Sequence, residues 1–356
     1  MKKKRPSIKD IATKLNVSVT TVSFVINGKA KEKRISDELI KRVQEYIKEI
    51  NYKPNQLAQS LRTGKSKIIV FMVEDISNYF FAKLARIIED IAYEKGYKVL
   101  FCSNDNKDEK SVELINLFKD KQVDGFIIIP SSGIRSTIKD LIEENIPVVL
   151  FDRYFTDLET NYVIIDNEDA AFKATEHLIK NGFKNIAFIT TDVEQTQMLA
   201  RLNGYINGVT NHDLKENLLK IPYNRKSSAR KSIIKDFLES NPDLDSIFFA
   251  TNYLTQDGLS VIKENFPDSI NELGLITFDD NTLYEICTPS ISAVAQPLNE
   301  IGQNLMDLML KLLQDPQGKL PINKIVLKAQ LQTRMSTLAK KGLILPKRSA
   351  IDPKLT

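Results

Sequence analysis

The sequence predicts an all-α helix-turn-helix head followed by an α/β body of two lobes. Three observations carry that prediction. Residues 1–67 hold 17 Lys/Arg against 6 Asp/Glu, whereas the remaining chain holds 33 against 40. Inside the basic head, two short helical periodicities are split by Asn16-Val17-Ser18. From Lys67 onward, short apolar runs bounded by Gly, Pro or Asp alternate with helical stretches, as buried parallel strands do.

The first helix starts at Ser7, whose hydroxyl suits a cap, with Asp10 three positions later to reach back in a capping box. Ile8, Ile11, Ala12 and Leu15 then share one apolar face. Asn16 tolerates the left-handed conformation that a tight turn needs, Val17 plugs inward and Ser18 caps a second helix. Val22, Val25 and Ile26 form the buried face of that helix, leaving Thr20, Thr21, Ser23, Phe24 and Asn27 on the others. A third helix begins at Ser36-Asp-Glu-Leu, buries Leu39, Val43, Tyr46, Ile47 and Ile50, and ends at Asn51-Tyr-Lys-Pro.

This spacing aims the N-terminal end of the second helix outward, the geometry that enters a major groove. A head with a charge of +11 suits a polyanion. Thr20 offers a hydroxyl to a base edge; Phe24 either presses on a thymine methyl or fills the core. The candidate DNA contacts of the head are Ser7, Ser18, Val19, Thr20, Thr21, Ser23, Phe24 and Asn27.

The segment Pro54–Gly64 has a helix-starting Pro and a helix-ending Gly. It is about ten residues long, too short to be a stable helix in isolation. Here the chain resembles the lactose-repressor family of bacterial transcription regulators. The matching motifs are Ile8-Lys-Asp-Ile-Ala, Val17-Ser-Val-Thr-Thr-Val-Ser, Tyr52-Lys-Pro-Asn, Ala58-Gln-Ser-Leu-Arg-Thr-Gly and Asp75-Ile-Ser-Asn-Tyr-Phe-Phe, and the likeness runs to about Thr337. The resemblance implies double-stranded operator DNA as partner, a homodimer, and hinge helices that pair on the operator. In that role Leu61 enters the minor groove, an unstacking offset by wrapped contacts; its alternative is a plain amphipathic-face residue. Asn55, Ala58 and Arg62 are the further hinge contacts. Phe24 stands where many members carry Arg, which leaves the half-site sequence open.

The body shows strands at Ile68–Val73, Val99–Cys102, Gly125–Ile129, Val148–Phe151, Ile186–Ile189, Ile247–Ala250 and Leu273–Phe278. The resemblance implies the type I periplasmic-binding-protein-like fold, a cleft between lobes and three chain crossings. The expected domains are a head over 1–53, a hinge over 54–66, a core over 67–337 and a tail over 338–356. Within the core, one lobe takes about 67–166 and 296–325, the other about 167–295 and 326–337. Ligands of such sheets lie beyond the carboxyl ends of strands. Asp75, Asn78, Tyr79, Phe80, Phe81, Asp152, Arg153, Arg201, Thr251, Asn252, Asp279, Asp280 and Gln296 follow such ends. The family's effector contacts match Asp152, Arg201, Asn252, Asp279 and Gln296, with Arg153 beside them and Asn78–Phe81 as a wall. The alternatives are a lobe-locking salt bridge for Arg201 and Asp279, and helix core for Phe80 and Phe81. Tyr253 replaces an acidic residue common in the family.

The expected effector is a small molecule, on family grounds a carbohydrate or sugar derivative. A partner protein acting on a vestigial cleft is the alternative. An enzyme is disfavoured: a phosphate loop, a Gly-x-Ser-x-Gly elbow and zinc spacing are missing. No cofactor and no metal are expected from two histidines and two cysteines, His177, His212, Cys102 and Cys287. No apolar run approaches the roughly 18 residues of a membrane span, and no secretory signal opens the chain, so a cytoplasmic location is expected. Subunit contacts are expected on the helix Phe81–Tyr93, and the tail lacks the leucine heptads of a tetramer-forming coiled coil.

Overall fold

The computed structural model describes residues 6–52, 64–223, 225–315 and 317–338. The hinge candidates Asn55, Ala58, Leu61 and Arg62, and the tail beyond Leu338, lie outside these residues. The chain divides into a head, residues 1–67, and a body, residues 68–356.

In the head, α1 (Ile8–Leu15), α2 (Val19–Ile26) and α3 (Asp37–Glu49) pack around Ile11, Ala12, Val22, Val25, Ala30 and Val43. Ser7 and Asp10 form the reciprocal capping box, with Asp10 Oδ2 accepting from the Ser7 amide at 2.7 Å. Asn16 closes α1 at φ 53°, and the Val17 amide donates to Ala12 O at 3.0 Å, which reverses the chain within a few residues. Ser18 Oγ accepts from the Thr21 amide at 3.0 Å and starts α2. Val22 has no exposed surface. Full burial of such a side chain contributes about 1.5–3 kcal/mol.

The body runs β1 (Ile68–Val73), α4 (Tyr79–Glu94), β2 (Lys98–Ser103), α5 (Asp108–Asp120), β3 (Gly125–Ile128), α6 (Arg135–Glu143), β4 (Val148–Phe151) and β5 (Asn161–Ile165). It continues with α7 (Asn167–Lys180), β6 (Ile186–Asp192), α8 (Thr196–Thr210), β7 (Asn217–Pro222), α9 (Ser227–Ser240), β8 (Ser246–Phe249), α10 (Asn252–Asn265) and β9 (Gly274–Phe278). The last elements are α11 (Thr282–Ile286), β10 (Ser292–Ala295), α12 (Leu298–Leu312), β11 (Lys324–Leu327) and β12 (Gln330–Gln332).

Two six-stranded sheets result, ordered β11-β5-β4-β3-β1-β2 and β12-β10-β9-β8-β6-β7. The second repeats the order of the first strand for strand, so β4 and β9 occupy equivalent places. Both sheets are parallel apart from β12, which runs antiparallel to β10. Buried runs such as Ile69–Val73 and Gly125–Ile128 explain why these strands read as continuous apolar stretches: helices cover both faces. Strands β7 and β11 escape such a reading, since they interleave Lys220 and Lys324 with half-buried residues at sheet edges.

The chain crosses between lobes after β5, after β10 and after β11. The third crossing, expected near residue 325, lies beyond Leu327, because Val326 and Leu327 still pair with Ile164 and Ile165 of the first sheet.

Candidate functional site

Strand order places the site. In each sheet the order reverses between the first and third strands, and the loops beyond the carboxyl ends open toward the other lobe. Asp152 follows β4 and Asp279 follows β9, the equivalent positions of the two lobes. Both sit in the left-handed region, at φ 67° and φ 71°. That conformation is uncommon for a residue with a side chain, and such strain concentrates at ligand sites. Here it turns two carboxylates from opposite lobes into one cleft, lined also by Asn78, Phe80, Phe81, Arg153, Arg201, Asn252 and Gln296.

The polar groups are tied in place. Arg201, 3% exposed, donates from Nε to Asn167 Oδ1 and from Nη1 to the Ala250 carbonyl, each at 2.8 Å, with its guanidinium 3.7 Å from the Phe278 ring centroid. Gln296 donates to Asp279 Oδ1 at 2.6 Å. Arg153 pairs with Glu74, donates to Asn106 Oδ1 at 2.8 Å and lies 3.5 Å from the Asp152 carboxylate. Burial raises the pKa of both Asp152 and Asp279; Arg153 and Arg201 draw Asp152 back, and Arg201 and Gln296 draw Asp279 back. These bonds, rather than a direct Arg201–Asp279 bridge, are what the two residues make.

Hydrogen bonds span the cleft. Asn252 Nδ2 donates to Asn78 Oδ1 at 2.8 Å, Tyr79 Oη and Thr282 Oγ1 lie 3.1 Å apart, and Tyr223 donates to Glu74. Asn78 also caps α4, accepting from the Phe80 amide. Phe80 and Phe81 join both alternatives, since they are buried in the core and line the cleft. Tyr79 does not line it; its ring lies under Lys83 at 4.7 Å, on an outer vestibule shared with Arg225, Arg230 and Tyr253.

Sequence reasoning missed Glu74, Gln195, Gln197 and Tyr223, all of which line the cleft. Glu74 directly follows the β1 run, and Gln195 and Gln197 follow β6, so the strand-end rule covers them. Tyr223 follows β7, whose mixed pattern hides the strand. Asp279 and Asp280 diverge: Asp280 takes a two-pronged pair from Arg334, at 2.8 Å to each oxygen. Adjacent carboxylates turned apart form no hydrolytic pair. Among the described residues no group of three metal-ligating side chains converges, and no helix is long and apolar enough to cross a membrane.

In the head, Thr20 and Asn27 are exposed and Val19 is 40% exposed, while Thr21, Ser23 and Phe24 are half-buried. Phe24 stays outside the core cluster, with Lys33 Nζ 5.6 Å from its ring centroid. Ser7 and Ser18 serve as caps, Thr21 Oγ1 lies 2.8 Å from Ser18 Oγ, and Asn27 donates to the Ser23 carbonyl at 2.7 Å.

Comparison with known proteins agrees with both units. The family of periplasmic binding proteins and the sugar binding domain of the LacI family matches residues 66–329, and the lacI family of bacterial regulatory proteins matches residues 7–55. The sucrose operon repressor of Lactococcus lactis subsp. lactis is 33% identical over 305 residues, covering 85% of this chain and 92% of that one. The HTH-type transcriptional regulator RegA of Clostridium saccharobutylicum is 31% identical over 336 residues, 93% and 99% of the two chains. The lac repressor dimer bound to operator and an anti-inducer superposes with a TM-score of 0.81 at 20% identity, over 94% of this chain and 100% of that one, a likeness of fold.

A helix-turn-helix head of the lacI type joined to a two-lobed body with a polar cleft defines a DNA-binding transcription regulator. The chain belongs to the lacI family of bacterial regulatory proteins.

Proposed function

We propose that this protein is a repressor that binds operator DNA as a homodimer, its grip set by a carbohydrate held between the lobes. The observation that carries the ligand is the convergence of Asp152, Arg201, Asn252, Asp279 and Gln296 at the strand ends of both lobes. Carboxylates, two amides and a guanidinium fork onto neighbouring hydroxyls, while Phe80 and Phe81 offer an apolar face to a sugar ring. Relatives named as repressors of the sucrose and ribose operons support that class of ligand. The ligand acts by binding one arrangement of the lobes better than another, since only differential affinity shifts an equilibrium.

On the DNA side, α2 supplies Val19, Thr20 and Phe24 to base edges, and the hinge supplies Asn55, Ala58, Leu61 and Arg62. The domain divisions at 53, 66 and 337 serve this arrangement: reader, hinge, then sensor. The test is to select duplexes from a random-sequence pool with the purified protein, then titrate sugars by calorimetry and repeat the DNA binding with each sugar that binds. The expected result is a preferred duplex sequence whose affinity a sugar changes. Sequence preference without any sugar response, together with capture of a partner protein that changes DNA affinity, would replace the carbohydrate by that partner. Leu61→Ala is expected to weaken binding to the selected duplex far more than binding to random competitor; equal losses would remove its wedge role.

A further inference from the structure

We infer that the ligand of the inter-lobe cleft is an uncharged polyhydroxyl sugar, and that the cleft rejects phosphorylated and carboxylated sugars. This deepens the carbohydrate reading and rests on it. The cleft is lined by three carboxylates, Glu74, Asp152 and Asp279, and by two guanidinium groups, Arg153 and Arg201. Both cations are already engaged. Arg153 is held by Glu74 and Asn106, and its Nε, which makes no hydrogen bond, faces the Asp152 carboxylate at 3.5 Å. Arg201 uses Nε and Nη1 on Asn167 and Ala250, and stacks on Phe278. Only its Nη2 stands outside those bonds. An incoming anion would therefore meet Asp152 and Asp279 with only the Nη2 edge of Arg201 to answer them, since the remaining Arg153 Nε already faces the Asp152 carboxylate. Asp152 already experiences repulsion from Asp279 and Glu74.

The open valences point the same way. Gln195 Nε2 and Gln197 Oε1 are buried with no hydrogen-bond partner, in side chains only 8% and 6% exposed that line the cleft. One is a donor and the other an acceptor. Hydroxyl groups donate and accept at once and satisfy both, whereas a carboxylate or phosphate group placed against them only accepts and leaves the Gln197 oxygen unmet. The neighbouring vestibule holds Arg225, Lys226 and Arg230, but not as a socket for an anion. Arg230 is paired with Asp257 at 2.6 Å and bonded to the Arg225 carbonyl at 2.8 Å. Arg225 and Lys226 are exposed and share the vestibule with Glu74, Asp75 and Asp105.

The experiment is calorimetry on the intact protein with neutral pentoses, hexoses and disaccharides, the hexose 6-phosphates and the hexuronates. At least one neutral sugar is expected to bind, with its phosphate or uronate counterpart roughly 100-fold weaker or more. A phosphate or uronate that binds as tightly as its neutral parent overturns the inference and leaves the carbohydrate reading standing. No binding by any member of the panel removes that reading and the inference together. Glu74→Gln releases Arg153 and is expected to narrow the neutral-to-phosphate ratio by about tenfold; an unchanged ratio in a folded variant overturns the charge argument. Should that variant fail to fold, Asp279→Asn tests the same ratio, with the same two outcomes.

Discussion

Asp152 and Asp279 combine two costs, a left-handed backbone and a desolvated carboxylate. Replacing either by Asn keeps the shape and the tolerance of positive φ while removing the charge. Asp279→Asn is expected to lose ligand affinity at least about tenfold, measured by calorimetry, with a melting temperature equal to or above that of the parent. The pH dependence follows from the direction of the shifts. Both folded values lie above the ordinary 3.8, so the folded state binds more protons and stability falls as pH rises through that window. The doubly substituted Asp152→Asn/Asp279→Asn protein should therefore match the parent near pH 3.8 and exceed it progressively toward neutrality, by thermal melts across pH. A parent that gains on the variant as pH rises would contradict burial as the dominant cause. Strand-end position marked Asp152, Asn252 and Asp279 as candidates in the sequence. The partners of Arg201 (Asn167 and Ala250) and of Arg153 (Asn106) were invisible there, because hydrogen bonds across more than thirty residues leave no periodic trace.

Elements are held at distances their glycines permit. A Cβ at Gly204 in α8 would lie 2.2 Å from the Glu168 carbonyl and 2.8 Å from the Ala171 Cβ of α7, and one at Gly208 would meet Thr175 at 2.7 Å. The two helices thus pack backbone to backbone, and Arg201 on α8 reaches Asn167 on α7 across that seam. Gly204→Ala is expected to destabilise the body by about 3 kcal/mol and to weaken ligand binding through Arg201, by denaturant unfolding and calorimetry. In the head, Ser18→Ala removes the cap of α2 and is expected to cost about 1 kcal/mol, seen as faster amide exchange across Val19–Ile26. Apolar spacing and caps announced α1, α2 and α3 closely, since local side-chain chemistry decides where a helix starts. The edge strands β7, β11 and β12 were not legible, since their mixed composition shows no continuous apolar run.

At the scale of the whole molecule, charge is divided between head and body: residues 1–67 carry an excess of 11 positive charges and the remainder an excess of 7 negative ones. The excess of positive charge in the head suits phosphates, whereas the net charge of the body has the opposite sign. DNA affinity is therefore expected to fall steeply and linearly on a log–log plot against salt, as counterion release requires, measured by fluorescence anisotropy between low and physiological salt. A flat response would contradict a phosphate-binding head. Cross-cleft bonds from Asn78, Tyr79 and Tyr223 hold the lobes in the arrangement described. Tyr223→Phe removes one of them and is expected to weaken ligand binding a few-fold, chiefly through faster release.

By itself the sequence determined the helix-turn-helix, its caps, the central strands and the asymmetry of charge, because each follows from neighbours along the chain. It also pointed to the cleft through strand ends, and the family motifs narrowed that to particular residues. Only the tertiary structure decided which charges neutralise which. Glu74 and Arg153 come together from the ends of β1 and β4 in one sheet, and Tyr223 reaches Glu74 from the other lobe, while Gln195 and Gln197 keep unmet hydrogen bonds. Electrostatic partners are chosen by distance in space, and no spacing along the chain encodes them.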